Sequence, residues 1–423
     1  MSTALLLGLP VVLLAAGLPI YLVLITTALV VILTSSDIPL DVVHTTLFGS
    51  LDSFPLLAIP FFIFAGEVMA RGGIATRLVN WVIALIGKIP GSLALTTIAS
   101  SELFGAMSGS AVGCVAAVGR LLFPSLVRSG YGERFGASLI ASSGAIAVII
   151  PPSIPLIIYG ATAQQPITTL FLAGILPALL VGIVDGVYVM IWAHRNLKKR
   201  EYDVEAPKLG RATKDALWAL GTPVVIFGGI YGGVFTPTEA AGIAAAYSVF
   251  VSVFVYRELS WADIWKIAED SVELISQILL IVATAGVYSW LLTTSGLPQT
   301  IVDAMSAAQL GPVQTLLVFN VLLLIIGSFL EPPAAILILA PLFLPVVTQL
   351  GISPIHFGII IAVNLSIGMY TPPFGMNLFA AHSLFKVEVA ELYKGAFPFL
   401  VINALALLVI TLVPALSLWI VTK

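Results

Sequence analysis

The chain has 423 residues, 59% hydrophobic and 9% charged, with a net charge of −3 and a mean hydropathy of +1.11. Apolar stretches of about twenty residues recur from end to end, which excludes a soluble domain and a barrel of short alternating strands, and describes a polytopic helical membrane protein in a lipid bilayer. The net charge says nothing about nucleic acid, but no basic aromatic-laced patch is present and no nucleic-acid partner is expected, and the single Cys114 excludes disulfides and cysteine metal sites within the chain.

The first apolar stretch, 4–33, lacks a basic n-region and is too long for a signal-peptide core, so it is expected to be a retained transmembrane helix. Further spans are expected at 54–70, 135–163, 169–194, 215–234, 239–256, 271–293, 356–384 and 396–421. Two other runs, 90–127 and 312–349, are split at their centres. Each half is roughly 17 residues, barely enough to cross. Short amphipathic segments precede them, Ile74–Gly87 and Leu297–Gly311. Thr236-Pro-Thr-Glu239 has the form of a helix start. Trp192, Trp261, Trp265, Tyr393 and Trp419 lie near run ends, as interfacial aromatic residues do. The four histidines (His44, His194, His356, His382) are too scattered to form a ligand cluster.

Four interruptions stand out. Met107-Ser-Gly-Ser-Ala111 and Ile150-Pro-Pro-Ser-Ile154 have counterparts in Leu330-Glu-Pro-Pro-Ala334 and Tyr370-Thr-Pro-Pro-Phe374. Ser108 and Glu331 are 223 positions apart (331 − 108), and Pro151 and Pro372 are 221 apart (372 − 151). Arg71-Gly-Gly-Ile-Ala75 and Thr294-Ser-Gly-Leu-Pro298 are also separated by 223 (294 − 71). Paired, interrupted apolar segments in two halves mark the binding site of a secondary transporter.

The split runs are either re-entrant hairpins or ordinary helix pairs joined at the far surface, and the basic residues favour re-entry. With an interior N-terminus, 17 of the 18 Lys and Arg residues fall in cytoplasmic loops, Lys423 being the exception. The outer loops (34–53, 164–168, 235–238, 294–311, 350–355) then carry none. The same topology inverts the second half relative to the first, so the hairpins open from opposite sides. The expected organisation is a scaffold helix and outer loop over 1–53, then a first repeat over 54–163 with hairpin 90–127 and broken helix 135–163. Scaffold helices follow over 164–270 with the charged linker 195–214, then an inverted repeat over 271–384 with hairpin 312–349 and broken helix 356–384, then a C-terminal helix over 385–423. This places the N-terminus in the cytoplasm and the C-terminus outside.

Irregular backbone at membrane depth is tolerated only where it is buried in protein or lines a cavity. Proline inside a helix removes a donor and clashes with the preceding turn. Pro151-Pro152 and Pro372-Pro373 should therefore free carbonyls around Gly144, Val148, Ile149 and Ile150, and around Gly368, Thr371 and Phe374. Such carbonyls suit a hard cation, to which Ser108 adds a hydroxyl and Glu331 a carboxylate. The half-helix starts near Ser110, Ser153, Ala334 and Gly375 present free N–H groups that suit an anion. The substrate candidates are accordingly Ser110, Pro151, Pro152, Ser153, Pro332, Pro333, Pro372, Pro373 and Asn377. No Lys or Arg lies at any tip, so bound cations and helix dipoles must neutralise an anionic guest. A dianion entering against the membrane potential costs roughly 4.6 kcal/mol per 100 mV, which about two Na⁺ cancel. Glu67, Glu102 and Asp185 also lie within or at the ends of apolar runs; Glu67 and Asp185 are read as structural and Glu102 is left open.

At these residues the chain resembles the large membrane subunit of tripartite ATP-independent periplasmic (TRAP) transporters. The matching segments are Leu56-Leu-Ala-Ile-Pro-Phe-Phe-Ile-Phe-Ala-Gly-Glu67, Met107-Ser-Gly-Ser-Ala-Val112, Ile150-Pro-Pro-Ser-Ile-Pro155, Phe235-Thr-Pro-Thr-Glu-Ala-Ala241, Leu337–Pro345 and Ile367–Leu378. The resemblance implies residence in a bacterial inner membrane, elevator-type motion and Na⁺-driven uptake of organic acids such as C4-dicarboxylates, sialic acids or sugar acids. It also implies a small four-helix membrane subunit and a periplasmic substrate-binding protein as partners. No cofactor is implied beyond two or more coupling Na⁺. The family's Na⁺ sites fall on Ser108, Gly144 and the carbonyls before Pro152, and on Gly368, Thr371 and Phe374. Two departures from the family pattern are Glu331, where Asp is frequent, and Gly113-Cys114, where Ala-Asp or Ala-Thr is common. A stand-alone Na⁺/organic-anion symporter of similar architecture is the alternative. An intramembrane enzyme lacks a nucleophile–base pair or His-Glu-x-x-His motif, and inverted repeats argue against a channel.

Overall fold

The computed structural model describes residues 3–35, 38–197 and 207–421. Lys198, Lys199, Arg200 and Lys423, which enter the basic-residue pattern, and part of the linker 195–214 lie outside the described residues. Among the described residues the fold has twenty α-helices and no strand.

The first span is interrupted. Helices α1 (Thr3–Ala15) and α2 (Ile20–Ser35) replace the single helix expected over 4–33. Gly17 takes a left-handed turn (φ 82°) and Pro19 follows, so the chain cannot remain helical there. The expected outer loop 34–53 contains helix α3 (Asp41–Leu51), whose Ser50 lies against Gly286. A 3₁₀ turn, Phe54–Leu57, leads into α4 (Ala58–Arg71), and the amphipathic α5 (Ile74–Ile86) follows.

The two split runs are helix pairs, α6 (Ser92–Ser108) with α7 (Ala111–Arg128), and α15 (Pro312–Gly327) with α16 (Pro332–Gln349). The two proline pairs interrupt helices as expected. One broken helix is α8 (Glu133–Ile146) and α9 (Ile154–Ala163); the other is α17 (Pro354–Gly368) and α18 (Met376–Phe385). Between the halves run α10 (Ile167–Asn196), α11 (Leu209–Tyr231), α12 (Pro237–Phe250, extended by a π-helical turn to Val255), α13 (Trp261–Thr294) and α14 (Leu297–Ala307). The chain closes with α19 (Val389–Leu412) and a short α20 (Ala415–Leu418), because Pro414 ends the helix expected to reach 421.

Thr236 caps α12 in a reciprocal box with Glu239, and Ser260 caps α13 in the same way with Asp263. The second box starts α13 ten residues earlier than the apolar run suggested. Thr236→Ala should cost about 1 kcal/mol and lower the unfolding midpoint in detergent without altering the far-UV helical signal. An unchanged midpoint would mean that packing alone fixes this helix end.

Turns recur at the repeat spacing. Left-handed residues Gly73 and Gly296, Gly130 and Gly351, and Gln164 and Lys386 are 223, 221 and 222 positions apart (296 − 73, 351 − 130, 386 − 164). The last pair shows that the repeat runs one helix further than expected, matching α10 with α19. Both helices pack with the hairpins: α10 against α6, α8, α9 and α17, and α19 against α8, α15, α17 and α18. Within the expected scaffold over 164–270, α10 packs with the hairpins and broken helices, whereas α11 packs mainly with α5 and α12, and α12 with α4. Helices α1–α4 group with α11–α13, which also touch the hairpin body directly where α13 packs on α16 and α4 on α6, and α5 and α14 contact both groups.

The two broken helices lie antiparallel. Tyr159 Oη donates to the Pro354 carbonyl (2.6 Å), Ser366 Oγ to Ala145 (2.7 Å), and Asn377 Nδ2 to Ala141 (2.9 Å). Ser138 Oγ reaches the Leu392 carbonyl (3.1 Å), and Arg134 pairs with Glu391 (3.4 Å). Numbers fall along one helix as they rise along the other, so the second half is inverted.

Candidate functional site

Each hairpin tip is seated on the break of its own repeat. A Cβ on Gly105 would stand 2.5 Å from Ala147 Cα, and one on Gly109 would stand 2.8 Å from the Pro152 carbonyl oxygen. In the second repeat, a Cβ on Gly368 would be 2.5 Å from the Gly327 carbonyl carbon, and Gly375 N–H donates to the Ser328 carbonyl (3.4 Å). These glycines let backbone approach backbone. The two contacts are equivalent, since Gly105 corresponds to Gly327 and Ala147 to Gly368.

The tips therefore stop at the middle of the broken helices. Beyond each tip the broken helix continues for ten residues, α9 in one repeat and α18 in the other, or about 15 Å. Hairpin one returns to the start of α8 and hairpin two to the start of α17, which lies beside the far end of α9. The hairpins enter from opposite faces and meet halfway. Their second arms reinforce this crosswise: α7 packs on α18, where Phe123 and Phe385 stack at 4.3 Å, and α16 packs on α9.

At the first tip, Ser108 ends α6, is buried, and its hydroxyl has no hydrogen-bond partner. Ser110 caps α7 by accepting from Gly113 N–H (3.2 Å). Gly144 of α8 faces Ala111 and Val115 in the first turn of α7, which brings it to the same tip as Ser108. Ser108, Ser110 and Gly113 line a narrow cavity of about 20 Å³ with Gly66, Glu67 and Ala70 of α4, where Gly66 packs directly on Ser108. Glu67 forms an ion pair with Arg71 (3.1 Å) on the same helix.

Several expectations at the first break need correction. The Val148 carbonyl is not free, because the Ser153 hydroxyl donates to it. Ser153 Oγ also accepts from Leu156 N–H (3.3 Å), so it serves as a helix cap and is not open to substrate. The Gly144 carbonyl closes a turn with Ala147 N–H (3.3 Å), leaving one lone pair. The Ile149 carbonyl points at Gly174 of α10. Ile150 is half-buried, whereas Pro151 and Pro152 are fully buried and out of a substrate's reach.

The second break is open. Thr371 is half-buried, and Pro372, Pro373 and Phe374 are exposed. Thr371 Oγ1 donates to the Ile367 carbonyl (2.7 Å), and the Gly368 carbonyl accepts from Thr371 N–H (3.0 Å). Tyr393, read as interfacial, donates its hydroxyl to the Pro373 carbonyl. Asn377, expected to meet substrate, is fully buried and donates to Ala141 as a strut between the two breaks. Glu331 sits at the N-cap of α16, half-buried, and its side chain makes no capping hydrogen bond. Pro332 and Pro333 fill the first turn of that helix and are buried. Phe374 packs on Phe329 of the hairpin (5.6 Å between ring centroids), and both are exposed.

Sequence reading missed two polar chains inside the helical body. Asn364 Nδ2 donates to Asn320 Oδ1 (2.9 Å), and Asn320 Nδ2 donates to Thr411 Oγ1 (2.9 Å), joining α17, α15 and α19. Asn403 Nδ2 donates to Tyr370 Oη (2.8 Å) beside the fully buried Asp185. Asparagines in apolar runs were the available signal, since amides inside membrane helices seek partners. Glu102, left open, packs against Gly182 of α10, and Cys114 donates weakly to the Ser101 carbonyl (3.5 Å) inside the first hairpin.

Inverted repeats, opposed hairpins and two broken helices meeting at their breaks define a multi-pass helical transporter. The chain belongs to the family described as the DctM component of tripartite ATP-independent periplasmic transporters, which matches residues 7–416. It is 41% identical to the isethionate TRAP transporter permease protein DctMQ of Oleidesulfovibrio alaskensis, over 96% of this chain and 64% of that protein. It is 37% identical to the C4-dicarboxylate TRAP transporter large permease protein DctM of Rhodobacter capsulatus, over 99% of this chain and 98% of the relative. The 2,3-diketo-L-gulonate TRAP transporter large permease protein YiaN of Escherichia coli is 36% identical over 95% of each chain. The crystal structure of the Alcanivorax borkumensis YdaH transporter shares the fold, with a TM-score of 0.63, 18% identity and 98% coverage of both chains. The chain is thus the large permease component of a bacterial TRAP transporter.

Proposed function

We propose that this permease takes up a small organic acid by Na⁺ symport, receiving it from a periplasmic binding protein and working with a small four-helix membrane subunit. The observation that carries the reading is the seating of two oppositely entering tips on two antiparallel helix breaks. Such a centre offers carbonyls and hydroxyls to a cation and helix N-termini to a carboxylate, without a basic side chain. Two equivalent breaks suit two or more Na⁺, with Ser108 and Gly144 serving one site and Gly368, Thr371 and the Phe374 carbonyl the other. Ile150 and Glu331 are auxiliary donors. The exposed Thr371–Phe374 segment is the part of the site an organic anion can reach.

The hairpin body moves as a unit against α1–α4 and α11–α13, in an elevator cycle, with α5 and α14 as connecting arms. The basic residues orient Arg71, Arg77 and Arg134 to the cytoplasm, with the N-terminus inside and the C-terminus outside. Isethionate, C4-dicarboxylates and diketogulonate in the relatives' names agree with a small anionic guest.

Uptake into vesicles holding the large and small subunits tests this, with and without candidate binding proteins. Uptake should require inward Na⁺ and a binding protein; transport by the large subunit alone would favour the stand-alone symporter. Ser108→Ala and Thr371→Ala should each raise the half-maximal Na⁺ concentration about fivefold, one hydroxyl ligand being worth about 1 kcal/mol. An unchanged Na⁺ dependence in both removes these residues from the sites.

A further inference from the structure

On the face that carries Arg71 and Arg77, a cavity of about 960 Å³ opens between α5, α11 and the turn after α12. Among the described residues, Arg77, Lys208, Arg211 and Lys214 line it, against two carboxylates, Asp215 and Glu258. Both carboxylates are already engaged. Glu258 meets Arg77 at 2.6 Å, and Asp215 stands 3.9 Å from Arg211. Among the described residues, Lys208 and Lys214 pair with no acid. Thr76 and Asn80 add neutral polar groups to the wall. The Arg77 guanidinium lies 3.7 Å over the Tyr256 ring, which fixes its direction.

The edge of this cavity is apolar. Trp218 lines it and is exposed, and Leu217 and Val224 are exposed on the adjoining face of the same helix. A cationic pocket opening onto an exposed apolar helix face has the chemistry of a phospholipid: phosphate inside, acyl chains along Trp218, Leu217 and Val224. A freely dissolved anion would use only half of that surface.

We propose that this cavity seats the phosphate headgroup of an anionic phospholipid in the cytoplasmic leaflet. The placement in that leaflet rests on the orientation given above; the lipid chemistry does not. The position also gives the lipid a mechanical role. Helix α5 packs on α6 of the first hairpin and on α11 of the stationary body, and Trp81 Nε1 already donates to Thr213 Oγ1 (3.2 Å) across α5 and α11. A headgroup held by Arg77 and Asn80 on one side and by Lys208 and Lys214 on the other tightens the same joint.

The large subunit, purified with its small membrane subunit and stripped of lipid, is titrated with dioleoyl phosphatidylglycerol, phosphatidylcholine or sodium phosphate at constant ionic strength. Retained lipid is read by native mass spectrometry and unfolding by thermal scan. Phosphatidylglycerol should bind and raise the midpoint; the other two should do neither. The Lys208→Gln/Lys214→Gln double variant should bind phosphatidylglycerol about 30-fold more weakly, each charge contributing about fivefold. If that variant fails to fold, Lys214→Gln alone should show the fivefold step. Equal binding of phosphatidylcholine, equal protection by phosphate, or wild-type lipid affinity in the folded variants overturns the proposal. Because binding is read without transport, loss of Na⁺-driven uptake with lipid binding intact would strike only the transport reading.

Discussion

Alanine at Gly368 is expected to remove most Na⁺-driven uptake while leaving the protein in the membrane. The added Cβ would stand 2.5, 2.6 and 2.8 Å from the carbonyl carbon, oxygen and Cα of Gly327. All three are backbone atoms, so no side chain can swing aside; either α15 lifts or the break turns. Overpacking of this kind costs about 1–3 kcal/mol, and applied to the competent state it lowers uptake roughly 5- to 150-fold. Gly105→Ala makes the corresponding collision with Ala147 Cα and should behave alike. Gly228→Ala and Gly242→Ala meet nothing within 4 Å and are the controls. Initial uptake rates, normalised to membrane protein, separate the two groups. Wild-type Na⁺ affinity and rate in Gly368→Ala would show that the seating of the tip does not hold the site.

Asn320→Leu should destabilise the hairpin body by about 1–3 kcal/mol. The substitution removes a donor to Thr411 and an acceptor for Asn364, both fully inside the helical body. Interhelical hydrogen bonds in membranes average about 0.6 kcal/mol and reach about 1.7, so two lost bonds and a stranded Asn364 amide account for that range. Asn364→Leu in the same background should add little, since its partner is already gone. Unfolding in mixed micelles measures both, and strictly additive costs would mean that the amides act separately. The change should also raise the Na⁺ concentration needed for uptake, because α17 ends in Gly368 at the second break.

The parts legible in the sequence were those carried by local chemistry. Two proline pairs break helices wherever they occur in an apolar run, and Ser-Gly-Ser and Glu-Pro-Pro turn a chain back. Their common spacing exposed the repeat before any contact was seen. The missed features depended on long-range contacts or on weak local signals. Gly17 and Pro19 split the first span, yet the apolar run passes through both without a change in composition. Helix α10 is hydrophobic on every side, so nothing in its pattern shows that it packs with the hairpins rather than with α11. The Val148 carbonyl was expected to be free because its helix ends there. It is occupied by Ser153, five residues on, in a loop whose path only the fold determines. Asn377 lay within a matching motif, but its partner Ala141 is 236 positions away.

The two breaks are alike in chemistry and unlike in access. Pro151, Pro152 and Ser153 are sealed, whereas Pro372, Pro373 and Phe374 are open. If the proposed sodium sites lie at the two breaks, an ion at the open break would exchange in this conformation, while one at the sealed break would be held. On the proposed reading the ions would then leave in sequence, the exposed one first, through a half-loaded state. Rapid dilution of ²²Na-loaded permease should accordingly shed its label in two phases rather than one.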